Sequence, residues 1–100
     1  MDNSEVLKKV IEDIILPEYD VIGSVYIKTF GGLGDIYFYD IYFLLKSGVN
    51  DIPHSLMKEI TFETTSLANM IGMEKGNDFS VGFITPEDFE KKLARKRVKL

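Results

Sequence analysis

Val25-Tyr26-Ile27-Lys28-Thr29-Phe30-Gly31-Gly32-Leu33-Gly34-Asp35-Ile36-Tyr37-Phe38-Tyr39-Asp40-Ile41-Tyr42-Phe43-Leu44-Leu45 is the stretch that decides the fold. On both sides of its glycines the residues are mostly β-branched or aromatic. Carried back to Val21, the segment reads as two strands, Val21–Phe30 and Asp35–Leu45, joined as a hairpin. The glycines supply the positive φ angles that a tight connection requires. In the second strand, alternation puts Tyr37, Tyr39, Ile41, Phe43 and Leu45 on one face and Ile36, Phe38, Tyr42 and Leu44 on the other. A strand apolar on both faces is covered on both, by helices or by a partner. Asp40 falls in the second set, where an acid must be paired, hydrogen-bonded or close to an edge. Lys28 or backbone donors are its expected partners, and a ligand or metal contact is the functional alternative.

Upstream, Val6, Leu7, Val10, Ile11, Ile14 and Ile15 recur at helical spacing, with Lys8, Lys9, Glu12 and Asp13 on the other side. Asn3 or Ser4 can cap this helix, and Pro17 ends it. Downstream, Ser47-Gly48-Val49-Asn50 is a turn, and Asp51 and Pro53 open a second helix whose stripe is Leu56, Ile60, Leu67 and Ile71, widened by Met57, Ala68 and Met70. The β-branched run Ile60 to Thr65 would also suit a strand, but continuity as far as Gly72 favours helix. Glu74 to Asp78 reads as a loop and Phe79 to Ile84 as a third strand. Thr85-Pro86-Glu87-Asp88 then combines a capping hydroxyl, a first-turn proline and two acids at the positive end of a last helix, which buries little beyond Phe89 and Leu93. The order α-β-β-α-β-α predicts an α+β domain, a sheet of about three strands packed by three helices. Residues 1–90 form the body, and residues 91–100 a basic helix end or tail.

The 100 residues suffice for one core, and the absence of cysteine removes disulfides and thiolate metal sites. A lone His54 cannot form an imidazole cluster and is expected at the surface. No metal or cofactor is expected. The acidic, polar start Met1-Asp2-Asn3-Ser4-Glu5 does not resemble a secretory signal, and no apolar run is long enough to span a membrane, so a soluble cytoplasmic chain is expected. The net charge of −4 conceals a split. Lys91, Lys92, Arg95, Lys96, Arg97 and Lys99 give the last ten residues +6, leaving −10 on the rest. These six are candidate attachment contacts, or cations that simply suit a helix C-terminus.

Within the hairpin, Phe30-Gly31-Gly32 followed by Asp40-Ile41-Tyr42 resembles the minimal nucleotidyltransferase domain. The signature of that family is an apolar residue, Gly, and Gly or Ser, then an acid, an apolar residue and a second acid on a strand. The resemblance extends over roughly residues 5–90, including a family-like segment Phe83-Ile84-Thr85-Pro86-Glu87-Asp88-Phe89. It implies a nucleotide or metal site at Gly31, Gly32 and Asp40. The chemistry needs closely spaced carboxylates on a divalent cation, and Tyr42 occupies the second acid's position. The alternative pairing of Gly23-Ser24 with Asp35-Ile36-Tyr37 also ends in tyrosine. The resemblance therefore implies a copy whose metal site is lost. Gly31 to Gly34 also lacks the Lys-Ser/Thr ending of a phosphate loop.

Seven of the twelve aromatic residues lie between Tyr26 and Phe43. Those not needed in the core could anchor a protein partner or stack nucleic-acid bases. Few bases accompany them on an acidic body, so nucleic acid is disfavoured. The expectation is a non-catalytic protein-interaction domain, self-associating or binding another protein, with Tyr37, Tyr39, Tyr42 and Phe43 as its contact surface.

Overall fold

A computed structural model describes residues 4–31, 37–73 and 78–98. Its elements follow the expected order: α1 (Ser4–Val10), continued by a π-helical turn (Ile11–Ile15) and a 3-10 turn (Leu16–Glu18); β1 (Ile22–Gly31); β2 (Tyr37–Leu45); α2 (His54–Met70); β3 (Asp78–Ile84); and α3 (Pro86–Val98). The three strands make one mixed sheet in the order β1-β2-β3. β1 and β2 pair antiparallel, with Lys28 opposite Asp40 and Phe30 opposite Phe38. β2 and β3 pair parallel, with Tyr39 opposite Phe79 and Phe43 opposite Phe83. A parallel pair cannot be joined by a tight turn, and α2 provides the crossover.

The odd-numbered face of β2 carries the core. Tyr39, Ile41, Phe43 and Leu45 are buried there with Val25 of β1, Leu7, Ile11 and Ile15 of the first helical segment, and Ile60, Leu67 and Ala68 of α2. Tyr39 stacks on Phe79 (5.4 Å between centroids) and Phe43 on Phe83 (5.5 Å), so aromatic rings tie β3 to β2 along the register.

The single α-helix expected over the first segment is corrected at Ile11. From there the turn widens, and the Leu16 N–H reaches back to the Ile11 carbonyl in an i→i+5 bond. A wider turn advances fewer degrees per residue, which brings Ile15 beneath Leu7 and Ile11. The same rotation swings Ile14 outward, leaving it 51% exposed although its spacing placed it in the apolar stripe.

α2 is continuous through Ile60 to Thr65, as its length suggested. It begins at His54 behind Pro53, whereas Asp51 turns its carboxylate to accept the Ile52 N–H at 2.9 Å. Its end is a Schellman cap. Gly72, at φ 81°, lets Met73 donate to the Ala68 carbonyl (2.9 Å) while its own N–H reaches Asn69 (3.0 Å). Met70, expected to widen the stripe, points into solvent, and Thr64 takes the buried place beside Ile60. The Thr85 hydroxyl accepts the Asp88 N–H at 3.2 Å, the capping bond expected for α3.

Candidate interaction surfaces

Strand alternation puts Tyr26, Lys28 and Phe30 of β1, Phe38, Asp40, Tyr42 and Leu44 of β2, and Ser80 and Gly82 of β3 on the even face. α3 covers one end of that face. Phe89 is buried against Tyr26 in an edge-on contact (5.0 Å, 61°) and lies 6.2 Å from Tyr42. The Lys92 ammonium donates to the Tyr42 hydroxyl at 2.7 Å. Toward the other end no helix of the described residues covers the face. Phe30 and Phe38 face each other across the strands, 41% and 43% exposed, with the Lys28 ammonium 4.9 Å from the Phe30 centroid.

Of Tyr37, Tyr39, Tyr42 and Phe43, expected as a contact surface, none is exposed in the structure. Tyr39 and Phe43 point to the odd face and are core residues, 1% and 0% exposed. Tyr42 is half-buried under α3 and held by Lys92, and Tyr37 is half-buried with its ring 6.2 Å from that of Tyr39. Alternation separated the two faces correctly, but it could not say which one the long helix would cover. Among the described residues of the sheet, the exposed aromatics are Tyr26, Phe30 and Phe38, neighbours of those named from sequence.

Asp40 lies across from Lys28, one of its expected partners, but among the described residues the two form no ion pair. Gly31 lies opposite Tyr37 in the last pair of the register before the connection, where a Cβ would meet nothing within 4 Å. Three residues along the strands separate that pair from Lys28 and Asp40, about 10 Å at the usual rise. Gly32 lies outside the described residues. Among the described residues no three His, Cys, Asp or Glu side chains are placed to hold a metal ion. His54 is exposed, Lys91 is exposed, and the side chains of Arg95, Lys96 and Arg97, with all of Lys99, fall outside the described residues.

Two features of the other side of the molecule had no counterpart in the sequence reading. The first is an acidic corner. Glu59 and Glu63, one turn apart on α2, both present Oε2 at 2.8 Å from the Tyr19 hydroxyl. One phenolic proton serves two carboxylates. Burial, then the hydrogen bonds to Glu59 and Glu63, raise the Tyr19 phenol above its usual range. The charge of Glu63, and next a hydrogen bond with it, likewise raises the Glu18 carboxyl. The i, i+4 spacing of the two acids was visible, but their partner lies 40 and 44 residues away in sequence.

The second feature is a groove of about 500 Å³ between α2 and β3, lined by His54, Met57, Phe62, Thr65, Val81 and Phe83 among others. Phe62 forms its rim and is 72% exposed. No helix among the described residues is long and apolar enough to cross a membrane. Comparison with family models, with curated proteins and with solved structures finds no significant match for this chain.

Proposed function

We propose that the chain is a non-catalytic protein-interaction domain whose sheet presents an aromatic platform at the hairpin tip. The observation that carries this reading is the Phe30–Phe38 pair. Two phenylalanines hold directly opposed positions on a hydrogen-bonded strand pair, each about two-fifths exposed, on the even face of the sheet. Rigid aromatics bordered by polar groups, here Lys28 and Asp40, are what protein contacts use as anchors. They lose little side-chain entropy on binding, because an aromatic side chain has only two rotatable bonds.

Selection of binders from a displayed peptide library against the purified chain tests the reading. Enriched peptides are expected to lose at least about tenfold in affinity, roughly 1.4 kcal/mol, with Phe30→Thr or Phe38→Thr. Both substitutions are at half-open positions and keep strand-forming side chains. Failure to enrich any peptide, or binding indifferent to both substitutions, refutes the proposal.

A second reading is favoured by one contact, the Lys28 ammonium over the Phe30 ring. A cation beside an exposed ring also suits stacking of single-stranded nucleic acid. That reading predicts binding of single-stranded RNA that weakens steeply with salt and is lost when residues 91–100 are removed. The net charge of −4 places it second.

A further inference from the structure

We propose that two copies of the chain pair through the outer edge of β3, antiparallel about Val81, to form one continuous six-stranded sheet. β3 is an edge strand in the order β1-β2-β3, so its outer row of backbone N–H and C=O groups has no strand partner among the described residues. Proteins normally blunt such an edge with lysine, proline or a bulge. β1, the opposite edge, has Lys28 and an irregularity between Ile22 and Ser24. β3, Asp78-Phe79-Ser80-Val81-Gly82-Phe83-Ile84, has no basic residue, no proline and no break in its pairing with β2. A row of backbone donors and acceptors open along an edge suits another strand as its occupant.

The sequence of β3 identifies which strand. Phe79-Ser80-Val81-Gly82-Phe83 is nearly palindromic about Val81. A two-fold axis at Val81 therefore places Phe79 of each copy opposite Phe83 of the other, Ser80 opposite Gly82, and Val81 opposite itself. No two like charges meet, since Asp78 falls opposite Ile84. Phe79 already stacks on Tyr39 and Phe83 on Phe43. The new pairing continues these rows across the junction, Tyr39 and Phe79 of one copy leading to Phe83 and Phe43 of the other. Phe79, Val81 and Phe83 are only partly buried in the single chain, which leaves them area to cover. The groove between α2 and β3, rimmed by Phe62, is lined by Val81 and Phe83 of this same strand and would border the second copy. At Gly82 an added Cβ would meet Tyr42 no closer than 3.6 Å, so the chain's own packing does not demand a glycine there. Close approach of a second backbone gives the residue a use.

This inference deepens the interaction reading by naming a second copy as one partner, at an edge separate from the Phe30–Phe38 platform. The absence of native cysteine makes the test direct. In the pairing proposed, residue 81 of each copy faces its counterpart at about 4.5–5.5 Å between Cα atoms, within disulfide range. Light scattering on the wild-type chain is expected to give twice the mass of a single chain, falling to a single-chain mass for Phe62→Glu. Mild oxidation of Val81→Cys is expected to give a covalent dimer. Ser80→Cys, two residues out of register with its counterpart, and Ser24→Cys, on the β1 edge, are expected to stay uncrosslinked. A wild-type monomer at every concentration overturns the inference and leaves the peptide-binding test of the platform untouched. A dimer that cross-links at Ser24→Cys but not at Val81→Cys overturns it too, by locating self-association at the other edge.

Discussion

At the scale of single residues, the acidic corner has the clearest consequence. A carboxyl whose pKa is raised by folding holds its proton more tightly in the folded chain than in the unfolded one. The stability it contributes is full at pH below its unfolded value and is lost as pH rises through the raised folded value. Glu18 is such a group, because the Glu63 charge beside it penalises its ionised form. Glu63→Gln removes that charge while keeping an oxygen acceptor and adding an N–H donor. In a carbon-detected NMR titration Glu18 is expected to return toward the ordinary glutamate range, and the fall in stability across that pH window to flatten. An unchanged Glu18 midpoint would mean that Glu63 is not its cause. Thr64 provides a contrast inside the core. Its hydroxyl is buried and spends its proton on the Ile60 carbonyl at 2.7 Å, the carbonyl one turn back on the helix. This bond satisfies the hydroxyl without adding to the sheet or the core around it.

The helix ends are where local sequence acts most directly on stability. Thr85→Ala removes the hydroxyl that accepts the Asp88 N–H and is expected to cost about 1 kcal/mol. Gly72→Ala forces a side chain into the left-handed region and is expected to cost about 1–2 kcal/mol. Urea denaturation of each variant checks both, and equal midpoints for wild type and Gly72→Ala would show that the cap can reform around an ordinary residue. These two ends were legible in the sequence because a cap is made by residues within a few positions of each other. The hairpin was legible for the same reason, through the glycines between two β-rich runs. The π-helical turn was not, because nothing local distinguishes Ile14 from Ile15 as the residue to bury. Packing of Leu7, Ile11 and Ile15 against the sheet makes that choice. The aromatic surface was half legible: the sequence located it on β2 but named Tyr39 and Phe43, which the helical layer covers, instead of Phe38 and its cross-strand neighbour Phe30. The groove was not legible at all, since it depends on how α2 lies across β3.

On the scale of the whole molecule, the two faces of the sheet are held unequally. The odd face is covered over β1 and β2 by the first helical segment and α2, whereas on the even face α3 has one buried side chain among the described residues, Phe89. Regions with few buried contacts open at lower free energy than the core. Amide exchange in α3 is therefore expected to be faster than in β2 and α2, and faster still in Lys92→Met, which loses the bond to Tyr42. Exchange of α3 at the same rate as β2 would mean that the molecule opens only as one unit. The mixed sheet has a further consequence, for the growing chain. β2 is the central strand of the finished sheet, but its partner on one side is residues 22–31 and on the other residues 78–84. During synthesis the first half emerges with a hairpin complete and the far side of its most apolar strand bare. Until α2 and β3 have left the ribosome, the strand that ends up best protected is the one most open to the wrong neighbour. The interval a chaperone would have to guard is thus set by the length of the crossover.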